Sequence, residues 1–347
     1  MADIGGAVAL VTGGAGFVGS NLVAKLLAAG ARRVDIVDNL LSSERASVPQ
    51  HPAVRLIEGS IADDAVLGTL RDEYHFIFHL ATYHGNQSSI HDPLADHRNN
   101  TLTTLKLYET VKAWTGLARV VYSSAGCSVA EKTFSEASAT EETDLVSVTQ
   151  DSPYSMSKIF GEFYSRYYFR QHGLPVVRAR FQNVYGPGEI LGAGSWRGTP
   201  ATVWRNVTPT FIYKALMKES LPLEDDGIAT RDFIYVEDVA RGLIACALRG
   251  APGEAYNIAS GVETSVRELA TRINKLAGNT APFLTLPRRA WDNSGKRYGS
   301  TRKARSELGF EAAVGIEEGL TLTVEWTKQN LLLIKRTMAK HDGRVKS

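Results

Sequence analysis

The stretch Val8–Ser20, VALVTGGAGFVGS, decides the fold. Val8 to Val11 form a short apolar run that reads as a buried strand. Gly13, Gly16 and Gly19 follow at once, and Asn21–Ala29 then reads as a helix. A glycine loop between strand and helix suits a pyrophosphate. Gly13 permits the tight turn, Gly16 lets the backbone approach the phosphates, and Gly19 lets helix and strand pack closely. The helix N-terminus adds unpaired N–H groups and the positive end of its dipole. Asp38 closes the next apolar run, Val34–Val37, 19 positions beyond Gly19. A carboxylate there suits the ribose diol of NAD and repels the 2′-phosphate of NADP.

Outward from this unit, strands and helices alternate. Strands are predicted at Val54–Glu58, Phe76–Ala81, Arg119–Tyr122 and Val176–Phe181. Helices are predicted at Ala62–Arg71, Ala95–Ala113 and Pro153–His172. Repeated βα units predict an α/β, Rossmann-type, doubly wound parallel sheet, with ligands at the carboxyl ends of its strands. Beyond Phe181 the pattern loosens. The segment Gly186–Thr202, rich in Gly, Pro, Ser and Trp, reads as a long functional loop. Helices at Pro209–Lys218, Val236–Leu248, Ser265–Leu276 and Gly315–Asn330 follow, with short strands near Asp232–Tyr235 and Ala255–Ile258. Residues 1–185 read as the NAD-binding domain, with segments near 232–260 returning to it. Residues 186–347 read as a smaller, mainly substrate-binding domain. Leu331–Ser347 ends basic and polar and is expected to fray.

Composition excludes several classes. The chain is 44% hydrophobic and 22% charged, as ordinary folded proteins are. A net charge of +2 argues for neither nucleic acid nor an anionic membrane as partner. Two cysteines, Cys127 and Cys246, make no disulfide framework and fit a reducing compartment. MADIGG has no basic region and runs straight into the first strand, and no apolar run approaches the ~20 residues of a membrane span. A cytoplasmic enzyme is expected, and no metal site is read.

Two stretches carry chemistry. VVYSSAGCS, Val120–Ser128, ends a strand, and SPYSMSK places Tyr154 and Lys158 four positions apart on a helix. Such residues share one face. A Lys ammonium beside a phenol stabilises phenolate, which makes a group that ordinarily titrates near ~10 usable as a base near neutrality. A nearby Ser hydroxyl can share the proton. A Tyr and a Lys one turn apart are otherwise a common, weak helix contact; behind a dinucleotide loop they read as catalytic.

These residues give the chain a family likeness. It resembles the extended short-chain dehydrogenases/reductases of the nucleotide-sugar epimerase and dehydratase family, and most of all UDP-sugar 4-epimerases. The likeness rests on TGGAGFVGS, Asp38-Asn39-Leu40, His79–Ala81, Asn99-Asn100, YSMSK, NVYGPG at Asn183–Gly188 and RDFIYVEDV at Arg231–Val239. It implies backbone contacts from Gly13, Gly16, Phe17 and Val18 to the pyrophosphate of NAD, with Asp38 and Asn39 on the adenosine ribose. Ser60, Ile61, Leu80 and Ala81 would line the cofactor, with Asn99, Tyr154 and Lys158 near the nicotinamide. Asn183, Asn206 and Val207 would lie along a nucleotide-sugar, UDP-linked by preference. Arg231 and Arg289 would clamp its diphosphate, as guanidinium geometry favours, with Asp292 nearby. His84 falls in the polar loop beside the sugar. Arg197 and Arg205 would meet phosphate, a sugar carboxylate or solvent. Pairing into a homodimer through the helices at Ala95–Ala113 and Pro153–His172 is also implied.

The implied activity is NAD-dependent 4-epimerisation of a UDP-hexose or UDP-hexuronate, such as UDP-glucuronate, through a 4-keto intermediate. Tyr154 would be the base, aided by Lys158 and Ser124. The sequence departs from the family in three places. Ser60 stands where Asp is usual. Ala125 stands where the catalytic Ser or Thr is usual, so Ser124 would have to shift into place, unless Ser128 serves or Tyr154 acts without such a partner. Gly126 and Cys127 stand where 4,6-dehydratases carry their Asp and Glu. A thiol, with its pKa near ~8.5, does not replace a carboxylic acid that protonates a leaving hydroxyl. Cys127 reads instead as a small packing residue. A dehydratase, a 4-keto-sugar reductase and a non-catalytic NAD sensor are the alternatives.

Overall fold

The structure is a computed structural model and describes residues 3–126, 133–292 and 295–345. Cys127 and Ser128 lie outside the described residues. The strands that shape the site are β1 (Val8–Thr12), β2 (Arg33–Asp38), β3 (Val54–Glu58), β4 (Phe76–His79), β5 (Arg119–Ala125), β6 (Val176–Phe181), β7 (Asn183–Tyr185), β8 (Thr230–Tyr235), β9 (Ala255–Ile258) and β10 (Glu263–Ser265). The main helices are α1 (Phe17–Ala28), α2 (Leu102–Val111), α3 (Pro153–His172), α4 (Val207–Leu216), α5 (Val236–Arg249), α6 (Val266–Ala277), α7 (Ile316–Gln329) and α8 (Leu331–Ala339).

A parallel seven-stranded sheet runs β9-β6-β5-β4-β1-β2-β3. The chain starts at its centre, winds outward through β2 and β3, then returns to β4 on the other side of β1. Successive strand residues face opposite ways, so each strand feeds two cores. Ala9, Val11, Ile36 and Phe78 pack against Leu22 and Leu26 of α1 and Leu243 of α5. Val8, Leu10, Ile77 and Val120 pack against Leu107 and Val111 of α2 and Tyr168 of α3. Each fully buried Leu or Val side chain there contributes about 1.5–3 kcal/mol. A smaller sheet, β10-β8-β7, supports a second lobe in which Phe211 of α4, Leu269 and Ile273 of α6 and Leu320 of α7 close over Phe233 and Tyr235.

Several boundaries differ from the sequence reading, each for a local reason. Helix α1 begins at Phe17, with extended Gly16 as its N-cap, rather than at Asn21. The predicted helix Ala62–Arg71 shrinks to Asp64–Leu67, which Gly68 closes. The predicted helix Ala95–Ala113 contains a π-type turn at His97–Thr101 and ends at Val111. Side chains compete for its carbonyls: Asn99 Nδ2 donates to Ala95 O at 2.8 Å, and Thr104 Oγ1 donates to Asn100 O at 2.7 Å.

The expected fraying after Leu331 is corrected. Residues Leu331–Ala339 form α8, which buries Ile334 against Ile190 and Leu191. Thr337 Oγ1 donates to Leu191 O at 2.7 Å, and His341 Nε2 lies 2.9 Å from Gly192 O. Four consecutive apolar residues, LLLI, outweigh the basic ones that follow. Among the described residues, no helix is long and apolar enough to cross a membrane.

Candidate active site

The chain reverses direction across the sheet between β1 and β4, and an open α/β sheet leaves a crevice there at the carboxyl ends. A cleft of about 850 Å³ occupies it. The described residues singled out from the sequence for catalysis, cofactor or substrate line this one cleft, with the exception of Arg197, which stands behind its wall.

At the inner end the glycine loop forms a close-fitting cradle. Gly13 has a φ of +74°, and a Cβ there would meet Ala81 N at 2.7 Å. A Cβ on Gly19 would stand 2.2 Å from Gly13 O. The first N–H groups of α1 thus face the cleft with no side chain between. Asp38 is buried at the end of β2 and accepts from Ala15 N at 3.0 Å, Leu40 N at 2.9 Å and Ser43 Oγ at 3.0 Å. Burial pushes its carboxyl up while those three donors pull it down, and burial prevails. The three donors fix the carboxylate where a ribose would lie and where a 2′-phosphate would be repelled. Ser60 accepts from Ala62 N at 3.1 Å and so shapes the turn beside Ile61. These residues fit a dinucleotide.

Below the floor, a buried chain of hydrogen bonds sets one histidine tautomer. Thr104 Oγ1 donates to Asn100 O, so it accepts from His79 Nε2 at 3.0 Å. His79 Nδ1 therefore accepts from Thr12 Oγ1 at 2.7 Å. Burial first, and then the Lys158 charge, pull the His79 pKa down to about 3. Asn100 fixes the loop above: its Oδ1 accepts from Thr82 Oγ1 at 2.9 Å and from Tyr83 N at 2.6 Å, and its Nδ2 donates to Asp96 at 2.6 Å. Burial raises the Asp96 pKa to about 6.

Helix α3 enters the cleft with Ser152 as its N-cap, accepting from Ser155 N at 3.3 Å, and Pro153 in its first turn. That start aims Tyr154 and Lys158 at the switch point. Lys158 Nζ donates to Ser123 O at 2.9 Å and stands 5.8 Å from the centre of the Tyr154 ring. The His84 ring meets Tyr154 edge-on at 6.0 Å. The Ser124 hydroxyl, expected beside Tyr154, donates instead to Glu162 Oε1 at 2.5 Å. Glu162 in turn accepts from Arg180 Nε and Nη2, both at 2.8 Å, and from Arg178 Nη1 at 3.3 Å, all of them buried. At the end of β5, Gly126 faces the Gln182 amide; a Cβ there would come within 2.1 Å of Gln182 Nε2.

In the outer cleft, Arg231 Nη1 donates to Thr230 O and Gly295 O, each at 2.7 Å. Arg289 lies over the Trp291 ring and donates to Glu224 Oε2 at 2.8 Å and Asp292 at 3.4 Å. Asn206 donates to Glu189 Oε1 at 2.6 Å, beside Val207 at the start of α4.

The loop after β7 is tied to the loop after β2. Arg205 Nη2 donates to Ser42 O and Ala193 O, each at 2.6 Å, and Arg197 Nη1 donates to Ser42 Oγ at 2.7 Å. Ser195 N donates to Leu41 O at 2.9 Å, and Gly194 N to Glu44 Oε1 at 2.9 Å. Lys340 pairs with Glu44 from the far side. Arg205 holds a left-handed φ of +45° to reach its partners. The Nε atoms of Arg197 and Arg205 and the Oε2 of Glu189 are buried without hydrogen-bond partners. Burial raises the Glu189 pKa to about 7 and lowers that of Arg197 to about 10. Sequence reading missed Ser42, Gln182, Glu189, Trp204 and Arg297 as lining residues. Only Glu189, directly after NVYGPG, had a local signal.

The sequence profile of the NAD dependent epimerase/dehydratase family matches residues 9–259, and the chain belongs to that family. It is 32% identical to a UDP-glucose 4-epimerase of Mycolicibacterium smegmatis over 91% of this chain and 97% of that one. Its fold is similar to the Bordetella bronchiseptica enzyme WbmF in complex with NAD+ and UDP, with a TM-score of 0.90, 64% identity and coverage of 99% and 98%. It also matches a Thermotoga maritima UDP-glucose 4-epimerase with UDP-glucose, with a TM-score of 0.84, 30% identity and coverage of 93% and 99%. The chain is an NAD-dependent epimerase.

Proposed function

We propose that this epimerase inverts C4 of a UDP-linked hexose or hexuronate, such as UDP-glucuronate, through a 4-keto intermediate. The observation that carries the reading is the pair Tyr154 and Lys158, set one helical turn apart over the switch point of a dinucleotide cleft. Lys158, buried among Ser123 and Tyr122, favours the phenolate of Tyr154. Tyr154 takes the proton of the C4 hydroxyl and later returns it. Bound NAD supplies the acceptor for the hydride that leaves C4 and comes back to the other face. Gly13, Gly16, Phe17, Val18, Asp38, Asn39, Ser60, Ile61, Leu80, Ala81 and Asn99 hold that cofactor. Residues 1–185, with β9 and α5 returning to the sheet, serve the cofactor, and residues 186–347 mainly the substrate.

Asn183, Asn206 and Val207 take the nucleotide-sugar, and Arg231, Arg289 and Asp292 stand at its diphosphate. The UDP linkage is supported by the relatives whose names carry it. A sugar carboxylate is favoured by Arg205, which lines the cleft with His84 and whose buried Nε has no hydrogen-bond partner. Gly126 has no carboxylic acid, and Gln182 fills the space an Asp would need, which argues against dehydration. Ser124, bound to Glu162, serves by fixing the end of β5.

Proton NMR with a panel of UDP-sugars in D2O tests the function. Conversion of one sugar to its C4 partner, with no deuterium incorporated, is the expected result. Deuterium at C5, a stable keto product or loss of a carboxylate would overturn it. Gly19→Ala tests the cofactor cradle. Overpacking at Gly13 O costs about 1–3 kcal/mol, and NAD affinity should fall roughly tenfold or more by calorimetry.

A homodimer is also proposed. Met156, Phe160, Phe163 and Tyr167 form one exposed apolar stripe along α3, continued by exposed Ile90 and Leu94 on the adjoining turns. Sedimentation at micromolar concentration should give a dimer, and Phe163→Glu should give a monomer. A monomeric wild type would end this proposal. A cytoplasmic location is proposed as well, supported by the free, buried Cys246 thiol.

A further inference from the structure

In the proposed reaction the oxygen on C4 passes from hydroxyl to carbonyl and back. Tyr154 handles its proton. Charge also gathers on that oxygen as hydride moves, and a second, fixed hydrogen-bond donor is what lowers such a barrier. The hydroxyls around Tyr154 are committed elsewhere. Ser124 donates to Glu162 at 2.5 Å, Ser123 to His79 O at 2.9 Å and Thr82 to Asn100 at 2.9 Å. Ala125 has no hydroxyl to give.

His84 stands apart from these. Its ring meets Tyr154 edge-on at 6.0 Å and lines the cleft. It makes no hydrogen bond with the described residues. The loop that carries it is pinned one residue earlier, where Tyr83 N donates to Asn100 Oδ1 at 2.6 Å. We propose that His84 donates the second hydrogen bond to the C4 oxygen, in the place where the family ordinarily uses a serine or threonine.

Burial, with the Arg205, Arg197 and Lys158 charges, holds the His84 pKa at about 3. The imidazole is therefore neutral at working pH, with one N–H to donate. A neutral imidazole can polarise a carbonyl without giving up its proton. The balance is then simple. The C4 hydroxyl proton goes to Tyr154 as C4=O forms, and it returns from Tyr154 when hydride comes back. His84 keeps its own proton throughout.

The inference rests on the 4-epimerase reading, and the experiment separates the two. Wild type, His84→Ala and His84→Gln are assayed by NMR on the same UDP-sugar panel. The substrate found is then supplied with deuterium at C4. We expect kcat of His84→Ala to fall about 100-fold, with partial recovery in His84→Gln, whose amide can donate. KM and NAD affinity should stay within about twofold, and the isotope effect on kcat should rise. Unchanged kcat in His84→Ala, or a loss confined to KM or NAD affinity with no change in isotope effect, would overturn the role of His84 alone. A wild type that inverts no UDP-sugar at C4 would remove both readings.

Discussion

Replacing Tyr154 by Phe should lower the rate of C4 inversion by about a thousandfold while NAD and the UDP-sugar still bind. The substitution removes one oxygen from a ring already held in place by its neighbours. Helix α3 fixes the backbone at Tyr154, whose N–H donates to Ser89 Oγ at 3.1 Å, and the His84 ring and Lys158 bracket the side chain. The phenylalanine ring therefore keeps its place and loses only the proton acceptor. General-base groups contribute about 10²–10⁴ in rate, and the neutral His84 imidazole beside Tyr154 is far too weak a base to replace it. Calorimetry should show unchanged NAD binding, and single-turnover NMR should show the lost step. A loss of less than tenfold would mean that another group is the base.

Glu162→Ala should cost about 3–5 kcal/mol of stability, as expected when one partner of a buried ion cluster is removed. Glu162 is buried beneath β5 between two guanidiniums, and it also accepts from Ser124. Without its carboxylate, Arg178 and Arg180 would be left side by side without their shared ion-pair partner, with only the charges of Glu254, Glu142 and Asp144 to offset them. Arg180, with two bonds at 2.8 Å, carries most of the pairing; Arg178, at 3.3 Å, is held more by its bond to Gly253 O at 2.8 Å, and burial lowers its pKa. The cluster also holds the Glu162 carboxyl below the ordinary 4.5, against the pull of burial. A carboxyl depressed by folding contributes stability that is full above its ordinary value and is lost as pH falls through its folded value. Wild type should therefore lose stability in acid below about pH 4.5, and Glu162→Ala should lose less of what remains. Urea unfolding at pH 7 and pH 4 measures both effects. A midpoint shift under about 1 kcal/mol at pH 7 would show the cluster to be incidental.

The sheet and the cleft were legible because local chemistry dictates them. The spacing of Gly13, Gly16 and Gly19 has one structural solution, and Asp38 stands where β2 must end. Tyr154 and Lys158 were legible because helical periodicity puts them on one face. What escaped detection depends on contacts between distant segments. The direction of the Ser124 hydroxyl is set by Glu162, 38 positions later, and strand alternation alone does not show which partner it meets. Arg197 and Arg205 read as ambiguous charges because their partner, Ser42, lies more than 150 positions before them. The π-type turn at His97–Thr101 follows from side chains capturing carbonyls within a sequence that still has helical periodicity.

The tie between the loops after β2 and β7 sets an order of manufacture. Lys340 reaches Glu44 across 296 positions, and Thr337 and His341 brace the turn at Leu191 and Gly192. A ribosome that has released residues 1–330 has therefore delivered every strand of the main sheet but not the helix that packs on the loop after β7. Domains gather as they emerge, and contacts of long sequence separation form late. The main sheet is thus complete in the nascent chain before α8 emerges to bury Ile190 and Leu191.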